Sequence, residues 1–311
     1  MRWWLLPTCI SLASAFIQLR PQTAPAPLLR SAKRPACKAA AAGAAAATDP
    51  DAADVQTAKM QTQTILISGC SRGIGLALTK HLISKGHTIV ATCRDPQGAT
   101  ELKAVADSCK TNSTQDGSKG RVIVYPLDVG SSESIAAARA SMERDGIDTI
   151  DCLICNAGVT VHGDPPQTCD RAAMLHVFDV NVCGVLDCIQ TFTPLLRRSS
   201  RRLVVVISSR AGSLSMHRRG SITSYRCSKA AANMLVKNFA LEESKNDTDG
   251  ITFISVHPGT ADTEMGRAGG APLEPLLPVD ESAAGIAKIV EEAGREDNGR
   301  FLQWDGQELT Y

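Results

Sequence analysis

The sequence lacks any uncharged apolar run close to the ~20 residues that a membrane span needs, so we expect no membrane partner. Aromatic residues make up only 4% of the chain, and its 24 glycines and 15 prolines are too few for a collagen-like or wholly disordered protein. The eleven cysteines show no paired spacing and the six histidines no ligand spacing. Neither a disulfide-stapled small domain nor a metal site is therefore predicted. A chain of 311 residues suffices for one large α/β domain or two small ones.

Acidic residues are absent from the first 48 positions, which carry six basic residues. The remainder holds 27 basic residues against 32 acidic ones, so the body of the chain has a net charge of −5. A surface that binds phosphate backbones needs a surplus of cations. We therefore expect no nucleic-acid partner.

The N-terminal region has the composition of a targeting sequence. Residues 1–15 have a charged start, a short apolar stretch and an Ala-Ser-Ala ending, which is typical of a signal peptide. Residues 16–48 are basic, free of acids and rich in small residues, as in a transit peptide. In series they resemble the bipartite leaders of algae with secondary plastids, in which a Phe such as Phe16 follows the signal cleavage site. This resemblance implies import into the chloroplast stroma. Secretion, or a cytoplasmic protein whose tail has no targeting role, are the alternatives.

Residues 49–61 are interpreted as a linker, and from residue 62 onward apolar strand-like runs alternate with helical patterns. Strands are predicted near residues 64–68, 87–92, 121–127, 149–155, 202–208, 251–257 and 300–304. Helices are predicted near residues 73–85, 97–109, 131–144, 170–198, 223–245 and 280–293. Continuous apolar strands that alternate with helices imply a parallel sheet covered on both faces. The sequence thus predicts a single doubly wound α/β domain of the Rossmann type over residues 62–311, with about seven parallel strands.

Three glycines with the spacing G-x-x-x-G-x-G follow the first predicted strand: Gly69, Gly73 and Gly75. Gly69 permits a tight turn, and the other two let the backbone approach a pyrophosphate at the positive end of the next helix. Ser71, Arg72 and Ile74 belong to the same loop. A simple turn is the alternative, because the spacing departs from the G-x-G-x-x-G pattern.

The second predicted strand ends at Arg94, where a cofactor with a free ribose 2′-hydroxyl usually meets an acid. Arg94 and Arg72 together offer two guanidinium groups, which suit a 2′-phosphate dianion. The sequence therefore predicts NADP(H) rather than NAD(H). Asp95 is the one residue that points the other way.

Tyr225 and Lys229 lie four residues apart and so share one face of a predicted helix. A phenol has an ordinary pKa of about 10, and a nearby ammonium favours the phenolate and lowers that pKa. Such a pair can pass a proton to a carbonyl oxygen as hydride arrives. The Tyr-x-x-x-Lys pattern alone is common. Here Ser209 accompanies it at the end of a buried strand, where ligand sites of open sheets lie.

Taken together, these motifs resemble the short-chain dehydrogenase/reductase family. Residues 156–158, Asn-Ala-Gly, resemble its Asn-Asn-Ala-Gly motif, with Cys155 in place of the first Asn. The catalytic tetrad of the family is matched in order by Asn181, Ser209, Tyr225 and Lys229. The resemblance implies that Tyr225 is the acid/base and that Ser209 hydrogen-bonds the substrate carbonyl, with Ser208 as the neighbouring alternative. It further implies that Lys229 binds the nicotinamide ribose and that Asn181 holds a water linking Lys229 to solvent.

The resemblance also implies the remaining cofactor contacts. Asp128 would face the adenine, although an acid at a helix start is the alternative, and Thr263 would contact the nicotinamide carboxamide. Residues 264–278, rich in proline and glycine, are interpreted as a mobile substrate lid. The cofactor-binding residues so predicted are Gly69, Ser71, Arg72, Gly73, Ile74, Gly75, Arg94, Asp128, Val129, Asn156, Ala157, Gly158, Tyr225, Lys229, Pro258, Gly259, Thr260 and Thr263.

Within the family the chain is most similar to the C-factor and sniffer-type carbonyl reductases. Residues 225–229, residues 257–266 and the tail at 299–306, Gly-Arg-Phe-Leu-Gln-Trp-Asp-Gly, carry this narrower resemblance. It implies NADPH-dependent reduction of a small aldehyde or ketone, and a homodimer formed through the two long helices is a family expectation. A non-catalytic NADP(H)-binding signalling protein of the C-factor type is the main alternative. A ketoacyl- or hydroxysteroid-type reductase is another.

Overall fold

The computed structural model describes residues 62–111, 120–218, 220–246, 249–268 and 275–311. The predicted signal peptide, transit-peptide-like segment and linker, residues 1–61, lie outside the described residues. Their interpretation stays a prediction.

Seven parallel strands form one sheet in the order β3-β2-β1-β4-β5-β6-β7. The strands are β1 (Thr64–Ser68), β2 (Thr88–Cys93), β3 (Arg121–Pro126), β4 (Cys152–Cys155), β5 (Leu203–Ile207), β6 (Thr252–His257) and β7 (Phe301–Gln303). The strand order reverses at β1, which pairs with β2 on one side and β4 on the other. In open α/β sheets ligands bind beyond the carboxyl ends of the strands at such a reversal. The predicted fold class is confirmed.

Helices cover both faces of the sheet. They are α1 (Gly73–Ser84), α2 (Thr100–Thr111), α3 (Ser132–Arg144), α4 (Arg171–Phe178), α5 (Gly184–Leu196), α6 (Thr223–Glu243), α7 (Glu264–Ala268) and α8 (Val279–Glu292). Successive strand residues point to opposite faces, so Ile65 and Ile67 pack in the core under α1 and α8, whereas Leu66 packs in the core under α3, α5 and α6. This two-sided burial explains why the strands are apolar throughout rather than alternating.

The helix predicted over residues 170–198 is divided. A π-helical segment, Asp179–Cys183, separates α4 from α5 and contains Asn181. The apolar periodicity continues through this segment, and so it predicts a single helix. π-helical turns inside α-helices are often found at functional sites.

The stretch Arg171–Leu196 is also long and apolar enough to cross a membrane, with a mean hydropathy of 1.6. In this fold Ile189, Phe192 and Leu195 of that stretch are fully buried in the core beside the sheet. Length and composition are the only features of this stretch that favour a membrane span. The absence of a membrane partner stays a prediction.

The proline- and glycine-rich segment after Thr263 is not wholly a loop. Its first residues form α7, whose start is capped where Gly266 N donates to Thr263 Oγ1 at 3.0 Å. Glu264 in the first turn and Arg267 in the last turn suit the helix dipole. A threonine cap followed by charges in this order is the signal that a composition-based prediction overlooks.

Candidate active site

A cavity of about 1080 Å³ lies beyond the carboxyl ends of the strands, at the reversal of strand order. The predicted cofactor residues that line it are Gly69, Ser71, Arg72, Gly73, Ile74, Gly75, Arg94, Asp128, Val129, Asn156, Ala157, Gly158, Tyr225, Lys229, Pro258 and Thr263. We call this cavity the cofactor cleft. Gly259 and Thr260 instead line an adjoining cavity of about 260 Å³, which we call the side pocket.

The glycine loop is held in a shape that only small residues allow. Gly69 has a φ of +75°, a left-handed conformation that side chains rarely adopt. A Cβ on Gly75 would clash with the carbonyl oxygen of Gly69 and lie 2.6 Å from Asn156 Nδ2. Asn156 Nδ2 itself donates to the carbonyl oxygens of Ser68 and Gly69 at 2.9 and 3.0 Å. Asn156 thus ties the end of β4 to the glycine loop.

The start of α1 is open towards the cofactor cleft. Its N-cap residue, Arg72, makes no capping hydrogen bond with its side chain, and the first turn of the helix contains no acid. The first backbone N–H groups of a helix carry partial positive charge and have no partner within the helix. The arrangement therefore fits a diphosphate.

Arg72 and Arg94 line the same cleft as Lys80, a cation that the sequence analysis missed. Lys80 lies on α1, two turns after Arg72, so helical spacing from the glycine loop is the signal that could have found it. Arg72 also forms an ion pair with Glu264 of α7, at 3.3 Å from Nη1 to Oε2. Both side chains are largely exposed, so this pair contributes little to stability.

Asp95, the residue that favoured NAD(H), makes its hydrogen bonds within its own turn. Its Oδ1 accepts hydrogen bonds from the backbone N–H groups of Gln97 and Gly98, at 3.0 and 3.1 Å. It does not line the cofactor cleft, whereas Arg94 does. Glu101 of α2 lines the cleft as well.

Asp128 lines the cleft with Val129 and is not the cap of the next helix. That cap is Ser131, whose Oγ accepts a hydrogen bond from Ser134 N at 3.2 Å. Asp128 Oδ1 accepts from Gly130 N at 3.0 Å, which holds the carboxylate in its own turn. The cap of α3 is therefore not Asp128, and the contact of Asp128 with the adenine stays a prediction.

Tyr225 lines both the cofactor cleft and the side pocket. Ser209 also lines the side pocket, and its hydroxyl acts to lower the pKa of Tyr225. Ser208 is different, because its Oγ donates to Asn233 Oδ1 at 2.6 Å and its side chain is buried. Of the two adjacent serines, the structure places Ser209 against the tyrosine.

Lys229 is 4% exposed, and its Nζ donates to the carbonyl oxygen of Ile207 at 2.8 Å. The same Nζ lies 5.6 Å from the centre of the Tyr225 ring. Burial lowers the pKa of Lys229 to about 8. Burial also raises the pKa of Tyr225, and the hydrogen bond from Ser209 offsets this only in part. The expected lowering of the Tyr225 pKa by Lys229 is thus not found, because the desolvation of the phenol outweighs the other effects on it.

Asn181 fixes the loop after β4 to the helix that carries Tyr225. Its Nδ2 donates to Val159 O at 2.9 Å and to Ser228 Oγ at 3.0 Å, and its Oδ1 accepts from Val159 N at 2.9 Å. Ser228 Oγ in turn donates to the carbonyl oxygen of Tyr225 at 2.7 Å. Both N–H groups of the Asn181 amide are used in these bonds. A water bound here would therefore meet its Oδ1 or its backbone carbonyl.

The start of α6, two residues before Tyr225, depends on Asp164, which the sequence analysis did not single out. The carbonyl oxygen of Asp164 accepts from Thr223 N at 2.9 Å, and its Oδ2 accepts from Ser224 N at 2.7 Å. Asp164 is 4% exposed. Burial is the largest single effect and acts to raise its pKa, but the hydrogen bonds from Ser224 and Cys169 together outweigh burial, so the pKa lies below its ordinary value.

The residue at the N-cap of α6 is Ile222, which adopts a left-handed backbone with φ 52° and ψ 50°. For a β-branched residue this conformation is strained. Such strain persists only where the surrounding structure enforces it, and it is concentrated at functional sites. Ile222 lines the side pocket, next to the residues that surround Tyr225.

Comparisons with known proteins agree with this geometry. The family model for short chain dehydrogenases matches residues 63–272. A short chain dehydrogenase of Penicillium aethiopicum, gsfK, is 33% identical over 262 residues, which cover 80% of this chain and 99% of the relative. The chain therefore belongs to the short-chain dehydrogenase family, a family of oxidoreductases.

Solved structures show the same fold. The NADPH-bound carbonyl reductase from chicken fatty liver matches with a TM-score of 0.71 and 31% identity, covering 81% of this chain and all of that one. The carbonyl reductase Sniffer of Drosophila melanogaster matches with a TM-score of 0.70 and 24% identity over the same shares. At that identity, the second likeness shows the fold alone.

Proposed function

We propose that this protein is an NADPH-dependent reductase of the carbonyl group of an aldehyde or ketone. The observation that carries the proposal is the position of Tyr225 on the wall shared by the cofactor cleft and the side pocket, which Ser209 also lines. A group at this wall can reach a cofactor on one side and a substrate on the other. The carbonyl reductase from chicken fatty liver, which binds NADPH, supports the same conclusion.

The residues of the cofactor cleft fit NADP(H). The open start of α1 suits the diphosphate, and Arg72, Lys80 and Arg94 provide cations for a 2′-phosphate. Asp128 and Val129 would meet the adenine, and Pro258 and Thr263 would flank the nicotinamide. When bound, the nicotinamide supplies the hydride.

The protein side of the reaction is a proton transfer. Tyr225 donates its hydroxyl proton to the carbonyl oxygen, and Ser209 donates a hydrogen bond to the same oxygen. Lys229, with a pKa of about 8, is mostly protonated at neutral pH and lies beside the ring of Tyr225. Its ammonium would hold the nicotinamide ribose and favour the phenolate that forms. Asn181 positions the tyrosine helix and holds the water that returns a proton to Lys229.

The test compares two tyrosine variants in NADPH-oxidation assays with a panel of aldehydes, ketones and quinones. Tyr225→Phe should lower kcat by about 100-fold or more, the usual contribution of a positioned general acid, while NADPH still binds. Tyr125→Phe is the matched control, because its hydroxyl bonds Asp145 Oδ2 at 2.7 Å outside the cleft. The control should keep wild-type turnover. Turnover that survives in Tyr225→Phe contradicts the mechanism.

The alternative of an NADP(H)-binding signalling protein makes a different prediction for the wild type. It would bind NADPH tightly and reduce no member of the panel. The hydroxyls of Tyr225 and Ser209 at the side pocket favour turnover, since a protein that only binds the cofactor needs no proton donor facing a second pocket.

We also propose the chloroplast stroma of an alga with a secondary plastid as the location, on the composition of residues 1–48 alone. Fluorescent fusions of residues 1–61, with Phe16→Ala as the second arm, test this in such an alga. Plastid fluorescence that the variant loses supports the proposal. Fluorescence in the medium or cytoplasm contradicts it.

A further inference from the structure

The side pocket has charge of one sign. Three arginines, Arg210, Arg218 and Arg226, line its 260 Å³, and no Asp or Glu does so among the residues that the structure describes. By chance, a pocket would be expected to have more acidic than basic lining residues, because the body of the chain has more acidic than basic residues. The cations are therefore concentrated at the pocket that holds Ser209 and Tyr225.

Two of the three arginines come from elements that border the reacting groups. Arg210 follows Ser209 directly and begins a short 3-10 turn, and Arg226 follows Tyr225 directly on α6. Arg226 is oriented by its neighbours: Nε donates to Ser221 O at 2.7 Å, and Nη1 lies 3.2 Å from His217 Nδ1. A guanidinium keeps its charge at any physiological pH, so these bonds fix a permanent cation beside the pocket.

Arg218 lies on the segment between Ser209 and Tyr225 and is exposed. No carboxylate of the described residues forms an ion pair with it, in contrast to the surface arginine Arg198, which faces Asp148. Its fork of donors matches a carboxylate in bidentate geometry. Arg218 is thus the cation of this pocket that is best placed to receive an anionic group from outside.

We propose that the substrate carries a carboxylate in addition to its aldehyde or ketone, and that Arg218, with Arg210 and Arg226, binds it in the side pocket. The inference rests on the proposed function, because it takes Tyr225 and Ser209 as the point where the carbonyl binds. The carbonyl then lies at the wall shared with the cofactor cleft, and the carboxylate extends towards the mouth formed by Arg218.

The experiment uses a carboxyl-substituted benzaldehyde and its methyl ester, which differ in charge at nearly constant shape. The wild-type protein should reduce the acid with a kcat/KM about 10-fold or more above that of the ester, as expected for one charge-assisted pair. Added salt should narrow this ratio, because screening weakens exposed charges. Arg218→Ala should reduce the acid-to-ester ratio of kcat/KM to about threefold or less, and Arg218→Glu should make the ester the better substrate.

Arg198→Ala is the matched control and should leave the ratio unchanged, since it removes an exposed arginine outside the pocket. Equal kcat/KM values for acid and ester overturn the carboxylate inference and leave the proposed function intact. If neither aldehyde is reduced, the proposed function fails for this class. In that case, binding of benzoate against benzamide to the NADPH-loaded protein still decides the charge preference, and equal affinities overturn it.

Discussion

Replacing Asp164 by alanine should loosen the start of the helix that carries Tyr225. The substitution removes the acceptor of the 2.7 Å bond from Ser224 N, at a buried helix start whose N-cap residue, Ile222, offers no side-chain cap. Leaving a buried donor unsatisfied costs about 1–3 kcal/mol. For a domain of this size we expect the free energy of unfolding to fall by ~2 kcal/mol, which corresponds to a fall in Tm of roughly 4–8 °C. Urea denaturation and thermal unfolding measure the two quantities.

The loss should depend on pH in a defined direction. The folded-state pKa of Asp164 lies below its ordinary value, so the unfolded chain binds more protons as the pH falls. The carboxylate therefore stabilises the fold above an unfolded pKa of about 4, and this contribution disappears as the pH falls through the folded pKa. The difference in unfolding free energy between wild type and Asp164→Asn should be constant near neutral pH and should shrink under acid conditions.

Asp170 is the matched control, because its Oδ2 caps α4 by accepting from Ala173 N at the same 2.7 Å, but on an exposed helix start. Asp170→Ala should cost about 1 kcal/mol and leave kcat unchanged. Asp164→Ala should lower kcat about 10-fold or more, because a small displacement of a reacting group is expensive. Equal losses of stability and unchanged turnover in both variants would refute the claim that Asp164 positions Tyr225.

Other substitutions test the cofactor cleft and the choice of serine. Arg94→Ala should raise the KM for NADPH by about 10- to 100-fold and leave that for NADH nearly unchanged, and equal effects on both cofactors would argue against 2′-phosphate binding. Ser209→Ala should lower kcat about 100-fold, whereas Ser208→Ala should lower stability by about 1 kcal/mol with little change in kcat; the reverse pattern would exchange their roles. Gly75→Ala should abolish NADPH binding in a titration, because its Cβ clashes with the carbonyl oxygen of Gly69. Retained affinity for NADPH would show that the glycine loop shifts to accommodate the Cβ.

The fold could be predicted because its signals are local. β1 has the predicted bounds, Thr64–Ser68, since a short β-branched run directly precedes the glycine loop. Boundaries elsewhere differ by a few residues, as at β4, which begins at Cys152 rather than near residue 149. The glycine loop follows β1, and Arg94 follows the adjacent strand β2. Their positions could be predicted because the carboxyl ends of adjacent parallel strands lie at the same edge of the sheet.

Other parts of the site depend on contacts between distant positions. Asp164 caps a helix that begins about sixty residues later, and nothing in its surrounding sequence indicates that partner. The raised pKa of Tyr225 also required the structure, because spacing gives the proximity of Lys229 but not the burial of the two groups. The residues alone do not separate Ser208 from Ser209, whereas in the structure Ser208 donates to Asn233 and Ser209 lines the side pocket.

The left-handed backbone of Ile222 has a consequence for engineering this protein towards heat resistance. A β-branched residue in this conformation costs on the order of 1–3 kcal/mol, whereas glycine or asparagine adopts it readily. A screen for thermal tolerance should therefore recover Ile222→Gly or Ile222→Asn. The same changes would remove bulk from the side pocket and free the first turn of α6, so turnover should fall as melting temperature rises. A variant with both a higher melting temperature and a higher turnover would show that the strain serves no catalytic purpose.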